Sequence, residues 1–335
     1  MPKRDYLPVM KNMKKKYAGT YLIVFLLLFF LALQYQSSMN SALSAEKKRP
    51  ETGTRKVVMR ALYIPNIKSR NIEFMKSLIS KGKPLGINML VMDVHTAGST
   101  RMKVDRKVLE FLKNEKIYVT ARVVCFQDGI NELPVPVVKM KGLYELVAEA
   151  ADSGFDEIQL DYIRFRDDGI PYPLKKKYAV IEDLLANFHN ITSERRIKLS
   201  ADIFGRIVYN QNDLIGQKLE VFAAYMDVIY PMLYPSHYSG DFRRMAAPGE
   251  TVREGTVKGL KRVEGKSVDI QPYIQAFPYN IQYAKVKLEQ YVALQIKGVE
   301  GTAARGWVAW NPNGDYSSVF NALNMNSSET VSKIE

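Results

Sequence analysis

The sequence predicts a closed parallel α/β barrel of eight strands, the (β/α)8 or TIM barrel, and three observations carry that prediction. From residue 56 onward, β-like segments alternate with helix-like segments, eight of each. The turn after the first β-like segment is Pro65-Asn66-Ile67, not the Gly-rich phosphate turn that usually follows the first strand of a doubly wound open sheet. The third observation is the stretch Gly154-Phe-Asp-Glu-Ile-Gln-Leu-Asp-Tyr-Ile-Arg-Phe165. At a period of two, Glu157, Gln159 and Asp161 share one face, and Ile158, Leu160 and Tyr162 the other. A strand that aims three polar groups one way and large apolar groups the other reads as a barrel stave. Its interior turns polar toward a site, with Asp161 at the mouth.

In chain order, the predicted strands cover 56–64, 87–94, 117–126, 157–165, 197–204, 228–234, 268–277 and 305–310. Predicted helices fall near 71–82, 105–114, 142–153, 178–190, 214–225, 252–263, 281–297 and 316–323. In the helix at 142–153, Leu143, Leu146, Val147 and Ala150 recur at three- and four-residue spacing, and Gly154 occupies the usual C-terminal glycine position. Right-handed crossovers make every strand parallel, so all strand C-termini open on one face. The chain has 335 residues, enough for a barrel of about 250 and a leading segment.

That leading segment is distinct in composition. Lys3, Arg4, Lys11, Lys14, Lys15 and Lys16 precede a nearly uncharged apolar run over 17–33, the pattern of a basic region followed by a signal anchor or signal peptide. Seventeen residues span roughly 25 Å as a helix, slightly short of a ~30 Å hydrocarbon core. The positive flank predicts a cytoplasmic N-terminus with the rest exported: membrane-anchored, or periplasmic or secreted if the signal is cleaved near 42–45. Residues 34–55 read as a polar tether. The expected organisation is therefore 1–35 signal segment, 36–55 linker, 56–325 barrel and 326–335 disordered tail.

The formal charge of +13 does not signal nucleic acid. Residues 1–50 hold nine Lys/Arg against two Asp/Glu, a net of +7, so more than half of the excess sits beside the apolar run. No arginine-rich arm or Gly-aromatic RNA signature follows. The single cysteine, Cys125, permits no intramolecular disulfide and reads as a small buried apolar residue. With three histidines and no His-x-x-x-His pair, no metal or other cofactor is expected.

Polar residues collect at the predicted strand ends, where barrel enzymes carry their chemistry. Strand two ends with Asp93 and His95; strand four with Asp161, followed by Arg164; strand five with Asp202 and Arg206. Strand six contributes Tyr230, Tyr234 and His237, strand seven Gln271, Tyr273 and Gln275, and strand eight Trp310 and Asn311. Glycoside cleavage needs two carboxyl groups flanking the bond. Asp161 and Asp202, on adjacent strands whose axes lie about 4.8 Å apart, are the expected catalytic pair, near ~5 Å apart if retaining and ~7 Å or more if inverting. The expected substrate-binding residues are Asp93, His95, Arg164, Arg206, Tyr230, Tyr234, His237, Gln275, Trp310 and Asn311. Asp93 reads as a supporting hydrogen bonder, Trp307 as packing and Glu157 as too deep to touch substrate. The duller reading of Asp161 pairs it with Arg164 or Arg206 to close the rim.

Taken jointly, the motifs 154–165, Ser200-Ala-Asp-Ile-Phe-Gly205, Ile215-Gly-Gln217, Tyr230-Pro-Met-Leu-Tyr-Pro-Ser-His-Tyr238, Ala121-Arg122-Val-Val-Cys-Phe-Gln-Asp128 and the Trp310-Asn311 ending resemble an uncharacterised bacterial family of glycosyl-hydrolase-like domains. The resemblance covers about 57–323 and implies a TIM barrel acting on glycans. The chain departs from that pattern at Gln271-Pro-Tyr-Ile-Gln-Ala-Phe277, where an arginine and an acid are expected, at Arg166 in place of a proline, and in a shortened stretch between 128 and 142. The expectation is thus an exported or anchored glycoside hydrolase on a cell-envelope or extracellular polysaccharide. The alternatives are a glycan-binding barrel without catalysis and, against the histidine count, a metal-dependent deacetylase.

Overall fold

The strands are β1 (Met59–Ile64), β2 (Met89–Asp93), β3 (Tyr118–Val124), β4 (Glu157–Asp161), β5 (Lys198–Phe204), β6 (Val228–Met232), β7 (Asp269–Ile270), β8 (Tyr273–Gln275) and β9 (Gly306–Trp310). Every pairing is parallel, running from β1 through β6, then through β7 and β8 to β9, and β9 pairs back onto β1 with Ala61 opposite Val308. The ring is closed. Nine pieces make eight staves because the seventh is interrupted at Gln271-Pro272; proline has no N–H to donate to a ladder.

The computed structural model describes residues 57–96, 98–168 and 171–331, with side chains to 325. The predicted apolar segment and tether lie outside the described residues. Among the described residues, no helix is long and apolar enough to cross a membrane.

Long helices α1 (Ile72–Gly82), α2 (Arg106–Asn114), α3 (Val137–Asp152), α4 (Leu174–Glu194), α5 (Pro248–Arg262), α6 (Leu288–Glu300) and α7 (Ser317–Val331) follow the strands. Asn71 and Asp105 cap α1 and α2 by accepting from backbone N–H groups one turn in. Gly154 takes a left-handed φ of 95° just past α3, as its position predicts. Strand alternation sorts two apolar layers. Leu62, Ile64, Leu90, Met92, Ile158 and Leu160 pack outward under the helices, while Ala61, Tyr63, Met89, Val91, Tyr230 and Tyr273 pack inside the ring.

Of the boundaries that differ from the prediction, four stand out, the first three for a local reason. β4 stops at Asp161 because Tyr162 adopts a left-handed φ of 58°; the flip turns Tyr162 away from the face of Ile158 and Leu160. The predicted helix at 214–225 is a single turn, Leu219–Phe222. Its first residues are committed elsewhere: Phe165 N donates to Ile215 O at 2.7 Å, Gly216 is left-handed, and Phe204 N donates to the Gln217 amide oxygen at 2.9 Å. The helix predicted at 281–297 is a short turn followed by α6, split where Asn280 and Lys285 are left-handed. Finally, α7 continues to Val331, into the segment predicted as tail.

Candidate active site

The barrel interior is polar in layers. Deepest lies Glu157, which accepts from Tyr230 Oη (2.6 Å), Tyr118 Oη (3.0 Å) and the Arg305 guanidinium (2.9 Å). Above it, Tyr273 Oη donates to Gln159 Oε1 at 2.8 Å. At the mouth, Asp161 completes the face that alternation predicts for 157, 159 and 161. Tyr230 therefore belongs to the sealed floor and not to a substrate surface, correcting its expected role; an inward residue two positions before the strand's open end is too deep.

The centre of the mouth is a residue that sequence reasoning passed over. Arg122, on β3, holds three carboxylates. Nη1 donates to Asp93 Oδ1 at 2.5 Å, Nη2 to Asp161 Oδ2, and Nε approaches Asp202 Oδ2 at 3.4 Å. The planar fork of guanidinium donors suits such spanning contacts. The signal was available: Arg122 is the lone charge in an otherwise apolar strand and stands in register with Asp93. Asp161 pairs with this residue, not with Arg164 or Arg206. Despite its burial, the carboxylates of Asp93 and Asp161 hold the Arg122 pKa well above its ordinary value. The guanidinium occupies the position between the acids that a cation would otherwise take. Among the described residues, no group of three or more His, Cys, Asp or Glu is arranged to hold a metal.

Asp161 Oδ1 also accepts from Tyr162 N at 2.6 Å, a contact made possible by the left-handed turn. Asp202 is different. Burial first, and the neighbouring Asp161 carboxyl second, push its pKa well above the usual carboxylate range against the opposing pull of Arg122. The two carboxyls share the Arg122 guanidinium, Asp161 at Nη2 and Asp202 at Nε. A buried carboxyl held toward its neutral form beside a second carboxyl is the asymmetry that acid/base chemistry requires.

Asp161, Asp202 and Arg122 form the floor of a cavity of about 520 Å³. Of the predicted contacts, Arg206, Tyr234, His237 and Trp310 line it. Arg206 is fixed at the lip by Asp213 (2.8 Å) and Asp167 (3.0 Å). Trp310, Tyr234 and Phe277 form a wall with ring centroids 5.3–5.8 Å apart, and His237 packs its ring on Tyr234 at 4.9 Å. Tyr162, Phe204, Tyr238, Tyr273 and Tyr279 complete the aromatic lining. The sequence placed Tyr162 on the opposite face and gathered Tyr273 with the strand-seven polar residues, whereas Tyr238 and Tyr279 come from loops whose path strand periodicity does not predict.

Five other predicted contacts lie elsewhere. Asp93 meets Arg122 and accepts from Tyr63 Oη at 2.6 Å, one step behind the cavity wall. His95 is sealed: Nδ1 donates to Ser99 O (2.6 Å), and Nε2 accepts from Val124 N (2.8 Å). Burial lowers its pKa, keeping it neutral in that tautomer. Arg164 lies over Phe204 (5.4 Å) and donates to Phe165 O, outside the cavity, because the flip at Tyr162 redirects the chain. Gln275 is buried and positions loops, accepting from Ser236 N and donating to Phe277 O and Tyr279 O. Asn311 donates to Ala276 O and accepts from Asn313 N. Trp307 is buried on the helix side and donates to Glu300, which fits its reading as packing.

Known structures share this architecture. The glycoside hydrolase domain of PgaB (BpsB) from Bordetella bronchiseptica superimposes with a TM-score of 0.60 at 13% identity, covering 79% of this chain and 98% of that one. The spore cortex-lytic enzyme SleL from Bacillus cereus gives 0.56 at 11%, covering 82% and 75%. A chitinase from Chromobacterium violaceum gives 0.54 at 12%, covering 80% and 98%. At such identities the likeness is one of fold. No curated protein matches the chain in sequence. The family model described as "Putative glycosyl hydrolase domain" matches residues 139–316, more than half of the chain and including both strand-end aspartates. The chain belongs to that family of glycosyl-hydrolase-like barrel domains.

Proposed function

We propose that this protein hydrolyses a polysaccharide, with Asp202 as the general acid and Asp161 as the carboxylate that attacks or stabilises the anomeric carbon. One observation carries the reading: Asp202, whose burial favours the protonated form, shares the Arg122 guanidinium with a second carboxyl, Asp161, on the floor of an aromatic-walled cavity. Flat rings match the apolar faces of sugars, and the buried acid supplies the proton for the leaving oxygen. Arg122 sets the distance between the two acids. The names of the structural neighbours, among them a chitinase and a spore cortex-lytic enzyme, support a polysaccharide substrate. The test is release of reducing ends from a panel of polysaccharides that begins with chitin oligosaccharides. Full activity in both Asp161→Asn and Asp202→Asn would remove these roles.

A second reading, a glycan-binding barrel without catalysis, is favoured by the same arrangement. Two acids already held by Arg122 and almost wholly buried leave little room for a glycosidic oxygen between them. Glycan binding without turnover in the wild type would select it. In either case we place the barrel outside the membrane, exported by the apolar run at 17–33 and tethered by it if uncleaved. The mass of the mature protein tests the tether: loss of about forty residues would show a cleaved signal.

A further inference from the structure

The aromatic lining does not end at the cavity. Tyr279 belongs to its wall yet is 58% exposed, and beyond it Phe242 and Tyr283 are 62% and 38% exposed with ring centroids 5.3 Å apart. Phe242 opens the short helix Phe242–Ala246, which packs on the turn Ile281–Ala284. Both segments follow strand C-termini, so they stand on the face where the cavity opens. Tyr283 follows Tyr279 by four positions, at most roughly 14 Å of chain.

This patch is built, not frayed. The buried Gln275 donates to Phe277 O at 3.0 Å and to Tyr279 O at 2.7 Å, tying the loop to the top of β8. Left-handed residues at Asn280 and Lys285 bracket the turn and set its direction. Scattered exposed apolar residues are ordinary, but three neighbouring aromatics continuous with a cavity wall form a patch, and such patches mark interaction sites. The stretch Tyr279-Asn-Ile-Gln-Tyr283 carries no charge and offers phenols and amides, which suits a neutral polyhydroxylated ligand better than an anionic lipid or a charged peptide.

We propose that Tyr279, Tyr283 and Phe242 form an outer glycan-binding platform that holds sugar units of a polymer whose neighbouring units occupy the cavity. The proposal rests on the glycan reading of the cavity and extends it: the ligand is a chain longer than the cavity can enclose, presented across the mouth.

The experiment is calorimetric titration of the full-length protein with chitin oligosaccharides from dimer to hexamer and with soluble polymer. Wild type is compared with Phe242→Ala, Tyr283→Ala and their double variant. The expected result is wild-type affinity that rises with length, and a loss of roughly five- to tenfold in the double variant for hexamer and polymer but not for dimer. Phe242→Tyr retains wild-type affinity, and melting curves check that every variant is folded. Equal binding by wild type and double variant, or equal losses at every length, overturns the platform while leaving the cavity reading intact. Wild type that binds no glycan of the polysaccharide panel overturns both. A halved sedimentation mass in the variants would identify the patch as a contact between copies of this chain and also overturns the proposal.

Discussion

Asp202 and Asp161 share one guanidinium, that of Arg122, and Asp202 Oδ1 is buried without a hydrogen-bond partner. A proton kept on Asp202 by burial therefore has the neighbouring carboxylate to face. Substituting Asn at either position keeps the shape and removes the acid or the acceptor. Each change should lower turnover by at least ~10³-fold, since one positioned acid or base contributes about 10²–10⁴. Reducing-end assays on folded variants read this directly; a loss below tenfold at both positions would end the assignment.

The raised pKa of Asp202 has a consequence for stability. Between the unfolded value near ~4 and the higher folded value, the native state holds a proton that the unfolded chain has released. Stability from this group is full below the unfolded value and falls as pH rises through the window. Asp202→Asn should therefore raise the melting temperature near pH 7, with the gain shrinking toward pH 4. Thermal unfolding at several pH values checks the slope; a pH-independent difference would contradict it.

Arg122→Met should be among the most damaging single changes. It leaves Asp93, Asp161 and Asp202 together without their cation, and losing one partner of a buried charge cluster costs about 3–5 kcal/mol. Arg122→Lys cannot reach three carboxylates at once and should recover only part of that stability and little activity. Denaturant titration measures the first effect and turnover of the Lys variant the second.

The stereochemistry of the product is a separate test. Two carboxyls on neighbouring strands drawn onto one guanidinium favour the close spacing of a retaining pair, so NMR of the first-formed sugar should show the starting anomer. Inversion would mean that another group activates the water.

What the sequence made legible was whatever period two and period 3.6 govern. The inward run Glu157-Gln159-Asp161, the outward packing of Trp307 and the left-handed Gly154 follow from alternation and helix termination alone. What it hid depends on backbone turns and on partners far apart in the chain. The flip at Tyr162 reverses the sides of Tyr162 and Arg164, and nothing in Asp161-Tyr162-Ile163 announces it. His95 looks like a site residue by position, yet its two nitrogens are consumed by Ser99 O, four residues on, and by Val124 N at the end of β3. Arg122 shows the opposite case, a residue whose isolation in an apolar strand was informative but whose three acidic partners span 109 positions of sequence, from Asp93 to Asp202.

The floor layer yields the last prediction. Glu157→Gln leaves Arg305 buried beside neutral partners and should cost about 3–5 kcal/mol of stability, while turnover per folded molecule stays near wild type because Glu157 lies below the cavity. A catalytic loss larger than the folded fraction explains would show that the layers communicate.

That same bolted floor closes the barrel beneath the cavity, so on the proposed reading a glycan that enters past Trp310 and Arg206 leaves on the face by which it came. A released fragment and the incoming chain would then compete for that face, and product inhibition should grow with the length of the polymer.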